Sequence, residues 1–190
     1  MMNKFMQGVE FSHFLLEKFV DQGDQVLDAT AGNGYDTLFL ARLVGSTGQV
    51  WSFDIQQEAL DRTRAKLIRK DYQERVELVL SGHEKLDQYI DSSIQAAVFN
   101  LGYLPGSDKD IVTTAKNTVI ALDKTLKLLY KGGIAVLVIY TGHDGGLKEK
   151  QAVVNFCTQL EETDYNVLHY HFINQSNNPA QVLAIRKRKG

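Results

Sequence analysis

Apolar residues recur along this chain in two alternating spacings. Near the N-terminus they share one face at helical spacing, which predicts a helix containing Phe11 and Phe19. Short apolar runs then alternate with longer helical patterns. The predicted strands are 26–28, 50–53, 76–80, 96–99, 134–140, 167–173 and 182–186. The predicted helices between them are 35–43, 58–69, 85–90, 113–129 and 148–160.

Five strand-and-helix steps followed by two more strands predict an α/β fold. Parallel strands need long crossover connections, and helices of this length supply them. The turn residues at 176–179 make the last two strands an antiparallel hairpin. We therefore expect a three-layer, doubly wound, mostly parallel seven-stranded sheet with a C-terminal antiparallel hairpin, in one domain spanning residues 1–190. The Gly132-Gly133 pair is expected to end the long helix at 113–129.

Composition and charge narrow the function classes. The net charge of −2 excludes a molecule that binds nucleic acid through its overall field, so any RNA contact needs a local basic patch. The single cysteine, Cys157, cannot form an internal disulfide and fits a reducing cytoplasm. No apolar run approaches the roughly 20 residues of a membrane helix. The five histidines show no metal-ligand spacing, so neither a membrane nor a metal is expected.

A glycine turn follows the first predicted strand. This strand ends in Asp28, and the chain then passes through Gly32, Asn33 and Gly34 into a helix whose first turn carries Asp36. Glycines let the backbone approach a ligand and adopt φ values that other residues resist. In a cofactor site, Asp28 would accept from an ammonium group, directly or through water. Asn33 would face the same ligand, and Asp36 is assigned to the same site. The alternative is a tight turn without a ligand.

A second acid, Asp54, ends the second strand twenty residues after Gly34. A glycine turn after one strand and an acid after the next is how a doubly wound sheet holds an adenosine cofactor. Asp54 would accept both ribose hydroxyls, and Gln56 can reach the same sugar. The third glycine of the dinucleotide fingerprint is replaced by Thr37. This replacement, and the lack of room for a second domain, favour S-adenosylmethionine over a nicotinamide cofactor.

The end of the third strand completes the predicted cofactor site. Ser81 and His83 follow it, and the loop at this position lies beside the adenine in folds of this type. Either side chain could bond the base or its ribose. The alternative is a surface turn with a capping serine.

The run Asn-Leu-Gly-Tyr-Leu-Pro-Gly at 100–106 follows the fourth strand, at the position that faces a transferred methyl group. Amino-methylating enzymes of this fold carry Asn/Asp-Pro-Pro-Tyr here. Their polar side chain and a backbone carbonyl accept hydrogens from the target nitrogen, and the aromatic ring stacks on the base. Asn100 and Tyr103 fit these roles, and Leu104 is assigned to the substrate side. The alternative is a loop in which the asparagine caps a turn.

The fifth strand leads into a glycine-rich loop that carries Tyr140 and His143. Parallel strands present their carboxyl ends to the ligand crevice. His143 is therefore the candidate proton acceptor or phosphate contact, and Tyr140 is a candidate catalytic and stacking residue. The alternative is a flexible loop with an incidental histidine.

Together these motifs resemble the MnmM (YtqB-like) methyltransferases of Gram-positive bacteria, whose members are often labelled rRNA methylases. The Asn-Leu-Gly-Tyr-Leu-Pro-Gly string is the most specific part, and the resemblance covers nearly the whole chain. The segments that carry it are Asp-Ala-Thr-Ala-Gly-Asn-Gly-Tyr-Asp-Thr at 28–37, Phe-Asp-Ile-Gln at 53–56, Phe-Asn-Leu-Gly-Tyr-Leu-Pro-Gly at 99–106, Tyr-Thr-Gly-His at 140–143 and Phe-Ile-Asn-Gln at 172–175.

The resemblance implies a class I methyltransferase fold and S-adenosylmethionine as donor. It implies methylation of 5-aminomethyl-2-thiouridine at the tRNA wobble position, with the anticodon loop as partner and a homodimer in some members. The implied cofactor contacts are Asn33, Asp54, Gln56, Ser81 and His83, and the implied substrate-side residues are Asn100, Tyr140 and His143. Two alternatives stay open: an rRNA or small-amine N-methyltransferase on the same scaffold, and a cofactor-binding, RNA-associated protein without turnover.

Overall fold

The structure is a computed structural model that describes residues 5–102, 113–142 and 144–189. Its strands are β1 (Gln25–Asp28), β2 (Gln49–Asp54), β3 (Val76–Leu80), β4 (Ile94–Leu101), β5 (Leu129–Ile139), β6 (Tyr165–Tyr170) and β7 (Gln181–Lys187). Its α-helices are α1 (Gly8–Phe19), α2 (Tyr35–Val44), α3 (Gln57–Lys70), α4 (Ala115–Leu128) and α5 (Gly146–Thr158). None of the helices within these ranges is long and apolar enough to cross a membrane.

The strands of the described ranges form one seven-stranded sheet in the order β3-β2-β1-β4-β5-β7-β6. The pairs among β1 to β5 are parallel, whereas β7 is antiparallel to both β5 and β6. This confirms the predicted α/β architecture with its C-terminal antiparallel hairpin. The strand order changes direction between β1 and β4. In open α/β sheets, the ligand crevice lies at such a switch point, beyond the carboxyl ends of the strands.

Two apolar clusters, one on each face of the sheet, form the core. Along β5, Val136 and Val138 face the cluster that includes Leu16 of α1 and Leu40 of α2. The alternate residues of β5 face a second cluster that includes Leu122 of α4. Because the central strands are buried on both faces, they appear in the sequence as continuous apolar runs. Because of this burial on both faces, the positions of the central strands can be predicted from the sequence.

The Gly132-Gly133 pair does not end a helix, which corrects the prediction from the sequence. Helix α4 ends at Leu128 and β5 begins at once, so both glycines lie inside the strand. The β4–β5 register shifts between Ile94 and Ala96 at this point. Gly132 has a φ of +87°, and a Cβ on Gly133 would lie 2.7 Å from the carbonyl oxygen of Gln95. The glycines therefore permit an irregular strand pairing that local sequence does not reveal.

Candidate functional site

A cavity of about 870 Å³ opens at the carboxyl ends of the parallel strands. Its volume lies within the range of small-molecule sites, about 300–1,000 Å³. Each parallel strand contributes a lining residue at or just beyond its end, and these are Gly32, Asp54, His83, Asn100 and Tyr140. Further lining residues that the sequence assigned to the site are Asn33, Asp36, Gln56 and Ser81. The fold thus gathers most of the predicted site residues around one space.

The Asp54 carboxylate ties the glycine turn to the end of β2. The Gly32 backbone N–H donates to Asp54 Oδ2 over 2.9 Å, and the Gln56 backbone N–H donates to Oδ1 over 2.9 Å. A carboxylate has about four acceptor sites, so each oxygen keeps one more. Asp54 is half-buried and lines the cavity. Its remaining acceptor sites fit the two neighbouring hydroxyls of a ribose, which is the adenosine contact expected at this position.

Asp28 and Gly34 were predicted to contact the cofactor, but neither lines the cavity. Asp28 is fully buried and accepts hydrogen bonds from the Thr30 N–H and the Thr37 hydroxyl. Burial, with a smaller contribution from the charge of Asp36, raises the pKa of Asp28 from 3.8 to about 7. Asp28 therefore stabilises the turn from beneath, through its bonds to Thr30 and Thr37, and does not face the cavity.

Gly34 serves the packing of two helices. It is the N-cap of α2 with a φ of +76°, in the left-handed region. A Cβ there would lie 2.6 Å from the Thr63 hydroxyl oxygen and 2.9 Å from the Thr63 Cα of α3. The close approach that requires glycine is thus to a neighbouring helix, not to a ligand.

The position of the missing third glycine also has a structural role. Thr37 is fully buried, and its hydroxyl contacts Asp28 and, at 2.8 Å, the hydroxyl of Ser52 on β2. The side chain that departs from the dinucleotide fingerprint therefore joins the first two strands beneath the turn.

His83 presents a neutral imidazole to the cavity. Its Nδ1 lies 3.1 Å from the Ala29 carbonyl oxygen, and because a carbonyl only accepts, Nδ1 carries the proton. Nε2 is then an acceptor. Burial lowers the pKa of His83 below its ordinary value of 6.5, which favours the neutral ring. An acceptor on a cavity-lining ring fits the predicted contact with an adenine amino group or a ribose hydroxyl.

Three side chains from distant elements form a hydrogen-bonded chain at the other side of the cavity. Asn100 Nδ2 of β4 donates to Asp36 Oδ2 of α2 over 2.8 Å. The second carboxylate oxygen, Asp36 Oδ1, lies 2.6 Å from His13 Nε2 of α1. The His13 ring is stacked on Phe39, with centroids 3.9 Å apart and planes within 8°. Asp36 therefore bonds substrate-side residues, and His13 joins a site to which the sequence did not assign it.

Tyr140 follows β5 and lines the cavity while 38% exposed. Burial raises the pKa of its hydroxyl above 10.0, and the charge of Asp36 adds to this rise. The phenol therefore stays neutral near pH 7 and can donate a hydrogen bond or offer a ring face, but it cannot serve as a base.

Two basic residues of α3 contact the glycine turn. Arg62 Nη1 donates to Asn33 Oδ1 over 3.1 Å, and the Lys66 ammonium donates to the Asn33 carbonyl. The Lys66 ammonium also lies 4.1 Å from the ring centroid of Tyr35, an exposed residue that lines the cavity. Positive charge and an aromatic ring thus meet at the cavity rim, where the sequence assigned no role to Tyr35.

Three predicted residues, Tyr103, Leu104 and His143, lie outside the described residues. Gly102 and Thr113, the described residues on either side of Tyr103 and Leu104, are hydrogen-bonded to each other. The Gly102 N–H donates to Thr113 Oγ1, and the Thr113 N–H donates to the Gly102 carbonyl, each over 3.0 Å. The Thr113 hydroxyl in turn donates to the buried carboxylate of Glu149 over 2.7 Å. Gly102 and Thr113 therefore lie side by side at the cavity wall.

Two further features of the described ranges bear on the site. No group of three or more His, Cys, Asp or Glu side chains there is arranged to hold a metal ion. The basic stretch that begins at Arg186 lies at the far end of the sheet, because the Lys187 ammonium donates to the carbonyl of Leu129 at the start of β5 over 2.8 Å. The cavity lies at the opposite end of the same strand.

Comparison with known proteins gives consistent matches. The model of the family described as "Putative rRNA methylase" matches residues 50–186. The chain is 32% identical to a protein of Arabidopsis thaliana named "tRNA (mnm(5)s(2)U34)-methyltransferase, chloroplastic", over 95% of this chain and 70% of that protein.

Two crystal structures are also similar over nearly their full lengths. One is a "putative rRNA-methylase" from Clostridium thermocellum, with a TM-score of 0.95 and 43% identity, covering 97% of this chain and 99% of that one. The other is a "putative methyltransferase" from Streptococcus mutans in complex with SAH, with a TM-score of 0.89 and 38% identity. It covers 97% of this chain and 99% of that one.

Proposed function

This chain belongs to the "Putative rRNA methylase" family, and we propose that it methylates the amine of 5-aminomethyl-2-thiouridine at the wobble position of tRNA. The product is 5-methylaminomethyl-2-thiouridine. The chain is an S-adenosylmethionine-dependent methyltransferase, as its relatives and structural neighbours are. The observation that carries the finer proposal is that Asn100, at the end of β4, lines the same cavity as the ribose-fitting Asp54.

The hydrogen-bond acceptors that line the cavity suit the hydroxyl and amino groups of the cofactor. Asp54 keeps acceptor sites for ribose hydroxyls, and the neutral His83 offers Nε2 to the adenosine. Gly32 lets the turn pass close to the ligand with a φ of +52°. When bound, S-adenosylmethionine supplies an electrophilic methyl group carried on a sulfonium centre. These residues would hold it in place and take no part in the transfer.

The proposed amine must reach the cavity with its lone pair available. An ordinary alkyl amine with a pKa of about 10.4 is only on the order of 0.1% neutral at pH 7. A desolvated site and a proton acceptor raise the reactive fraction. Asn100 can accept an N–H bond and aim the nitrogen but cannot remove a proton, and the phenol of Tyr140 is neutral. His143 remains our candidate acceptor, and Tyr103 and Leu104 remain our candidate contacts to the base.

The proposed partner is the tRNA anticodon loop. Its bases are single-stranded, so the wobble base can be turned into a pocket at modest cost. Phosphate contacts must come from local basic residues because the net charge is −2. Arg62 and Lys66 at the cavity rim are suitable donors. A homodimer, which the family resemblance implied, remains a prediction.

An rRNA substrate is the second candidate, and the family's own description favours it. Both candidates require the same cofactor site and the same amine-orienting group. They differ in which RNA delivers the nucleophile.

A methyl-transfer assay with defined RNAs tests the proposal. The protein is incubated with labelled S-adenosylmethionine and with tRNA that carries 5-aminomethyl-2-thiouridine. We expect one methyl per tRNA. The same tRNA with unmodified uridine at that position should gain none, because the nucleophile is absent. Label in rRNA or in a free amine, with none in the modified tRNA, would overturn the tRNA assignment and leave the methyltransferase class intact.

A further inference from the structure

We infer that His13 and Asp36 are positioning residues that fix the Asn100 amide with its carbonyl oxygen presented to the methyl-accepting amine. This inference rests on the proposed function because it names how that site orients its substrate. Neither residue needs to touch the substrate for this role. They act through the hydrogen bonds that join α1, α2 and β4.

The orientation of the amide follows from donor and acceptor rules. A carboxylate only accepts, so the amide atom 2.8 Å from Asp36 Oδ2 is the Nδ2 donor of Asn100. With the opposite orientation, Oδ1 would face the carboxylate, and two acceptors would be in contact. The Asn100 backbone N–H donates to Thr30 Oγ1 over 2.7 Å, which fixes the main chain as well. Oδ1 is consequently the amide atom directed away from Asp36, on a residue that lines the cavity.

This orientation decides whether Asn100 helps or hinders an amine. A neutral amine must aim its lone pair at the methyl carbon, so its N–H bonds need acceptors. Oδ1 accepts such a bond. A reversed amide would instead offer Nδ2 as a donor to the lone pair, which would block the attack.

The link to Asp36 also favours the transition state. As the nitrogen forms its bond to carbon it becomes positive, and its N–H bonds become stronger donors. The Nδ2–H···carboxylate bond polarises the amide and makes Oδ1 a stronger acceptor at the same time. An interaction that strengthens during the reaction lowers the barrier, whereas one of constant strength would only improve binding.

His13 keeps the carboxylate in place. Asp36 is only 7% exposed, and a buried carboxylate needs a donor on each oxygen. Asn100 supplies one donor, and His13 Nε2 supplies the other at 2.6 Å. The stacked Phe39 ring holds the imidazole plane. Removing His13 should therefore allow Asp36 to turn away and release the Asn100 amide.

The test compares His13→Ala with His13→Gln, whose side-chain amide can donate to Asp36 in place of Nε2. We expect His13→Ala and Asp36→Ala to lower kcat on the modified tRNA by about 10- to 100-fold. The KM for tRNA and the affinity for S-adenosylmethionine should change little. His13→Gln should restore most of the lost kcat. His169→Ala is the matched control, because His169 is exposed on β6 and bonds Gln181 outside the cavity.

A second readout needs no RNA. The NMR signals of the Asn100 side-chain NH₂, assigned by their loss in Asn100→Ala, should exchange slowly with solvent in the wild type and in His13→Gln. They should exchange faster in His13→Ala and Asp36→Ala. Wild-type kcat in His13→Ala, no rescue by His13→Gln, or unchanged exchange in Asp36→Ala would each overturn the inference. Protected signals in a wild-type protein that leaves the modified tRNA unmethylated would instead refute the proposed function alone.

Discussion

The two halves of the cavity are built by different means. We call the residues proposed to bind the cofactor the cofactor half, namely Gly32, Asp54, Gln56, Ser81 and His83. The residues proposed to face the substrate are the substrate half, namely His13, Asp36, Asn100 and Tyr140. In the cofactor half, one carboxylate is held by two backbone N–H groups. In the substrate half, side chains bond one another across 23 and 64 positions of the sequence. The first half depends on the path of the backbone, and the second on the packing of α1 and α2 against the sheet.

This difference has a functional consequence. Substitutions other than proline leave backbone N–H donors in place, so the cofactor half suits a ligand that many methyltransferases share. Side-chain contacts can be altered by substitution, so the substrate half can be made specific for one methyl-accepting substrate. We therefore expect variants of the cofactor half to alter cofactor affinity and variants of the substrate half to alter turnover.

The largest expected effect is that of Asn100→Ala, which removes the amine-orienting acceptor. We expect kcat to fall by on the order of 100- to 1,000-fold, as for other groups that act in the transition state. Calorimetry should show nearly unchanged S-adenosylmethionine affinity. Asn155→Ala is the control, since Asn155 is exposed on α5 and accepts from Gln151. Near wild-type turnover in Asn100→Ala would make Asn100 a turn residue only.

Asp54→Ala should give the converse result. The loss of charge-assisted hydrogen bonds, worth about 1.5–3 kcal/mol, weakens S-adenosylmethionine binding by roughly 10- to 100-fold. Titration calorimetry measures this directly. Asp61→Ala removes an exposed carboxylate of α3 that bonds Gln57 and Arg64, and it should leave affinity unchanged. Unaltered affinity in Asp54→Ala, or tighter binding of NAD than of S-adenosylmethionine, contradicts the assignment.

Gly34→Ala tests, by its effect on stability, whether the close packing of α2 against α3 requires a glycine at this position. A left-handed φ costs a side chain about 1–2 kcal/mol, and the new Cβ would also meet Thr63 at 2.6 Å. Each kcal/mol lowers the Tm of a chain this size by about 2–4 °C. Gly142→Ala is the control, because a Cβ on Gly142 would meet no described atom within 4 Å and its φ lies outside the left-handed region. Equal melting temperatures for the two variants would show that the packing of α2 against α3 does not require glycine at position 34.

The last expected effect concerns the dependence of stability on pH. The pKa of Asp28 is raised from 3.8 to about 7 in the folded protein, so the folded state binds more protons than the unfolded state between these values. Stability from this group is complete below about pH 4 and is lost as the pH rises towards about 7. The Tm of the wild type minus that of Asp28→Asn should fall across this window and then level off. A difference independent of pH would show that Asp28 does not titrate there.

The sequence predicted the parallel sheet because its central strands are buried on both faces and are therefore continuously apolar. The turn and the acid of the next strand also sufficed to predict that Gly32 and Asp54 lie together, and both line the cavity; their contact with the cofactor stays a prediction. The sequence misassigned Gly132-Gly133, whose need for glycine comes from Gln95 on a neighbouring strand.

Contacts between elements that are distant in the sequence also explain the other site features that the sequence did not predict. The sequence did not connect His13 with Asp36 and Asn100, since only the packing of α1 brings these residues together. Asp28 and Gly34 belong to a recognisable motif, but whether a motif residue faces the cavity or lies beneath it depends on the neighbouring helices.

The most direct test of the account is where the new methyl group resides. The substrate half offers an acceptor for the N–H of an amine, so the methyl should be attached to the exocyclic aminomethyl nitrogen. Nucleoside mass spectrometry with fragmentation, on modified tRNA before and after incubation with protein and S-adenosylmethionine, locates it. Conversion of 5-aminomethyl-2-thiouridine to 5-methylaminomethyl-2-thiouridine is the predicted result. A methyl group on a ring carbon, a ring nitrogen or a ribose oxygen would contradict the account.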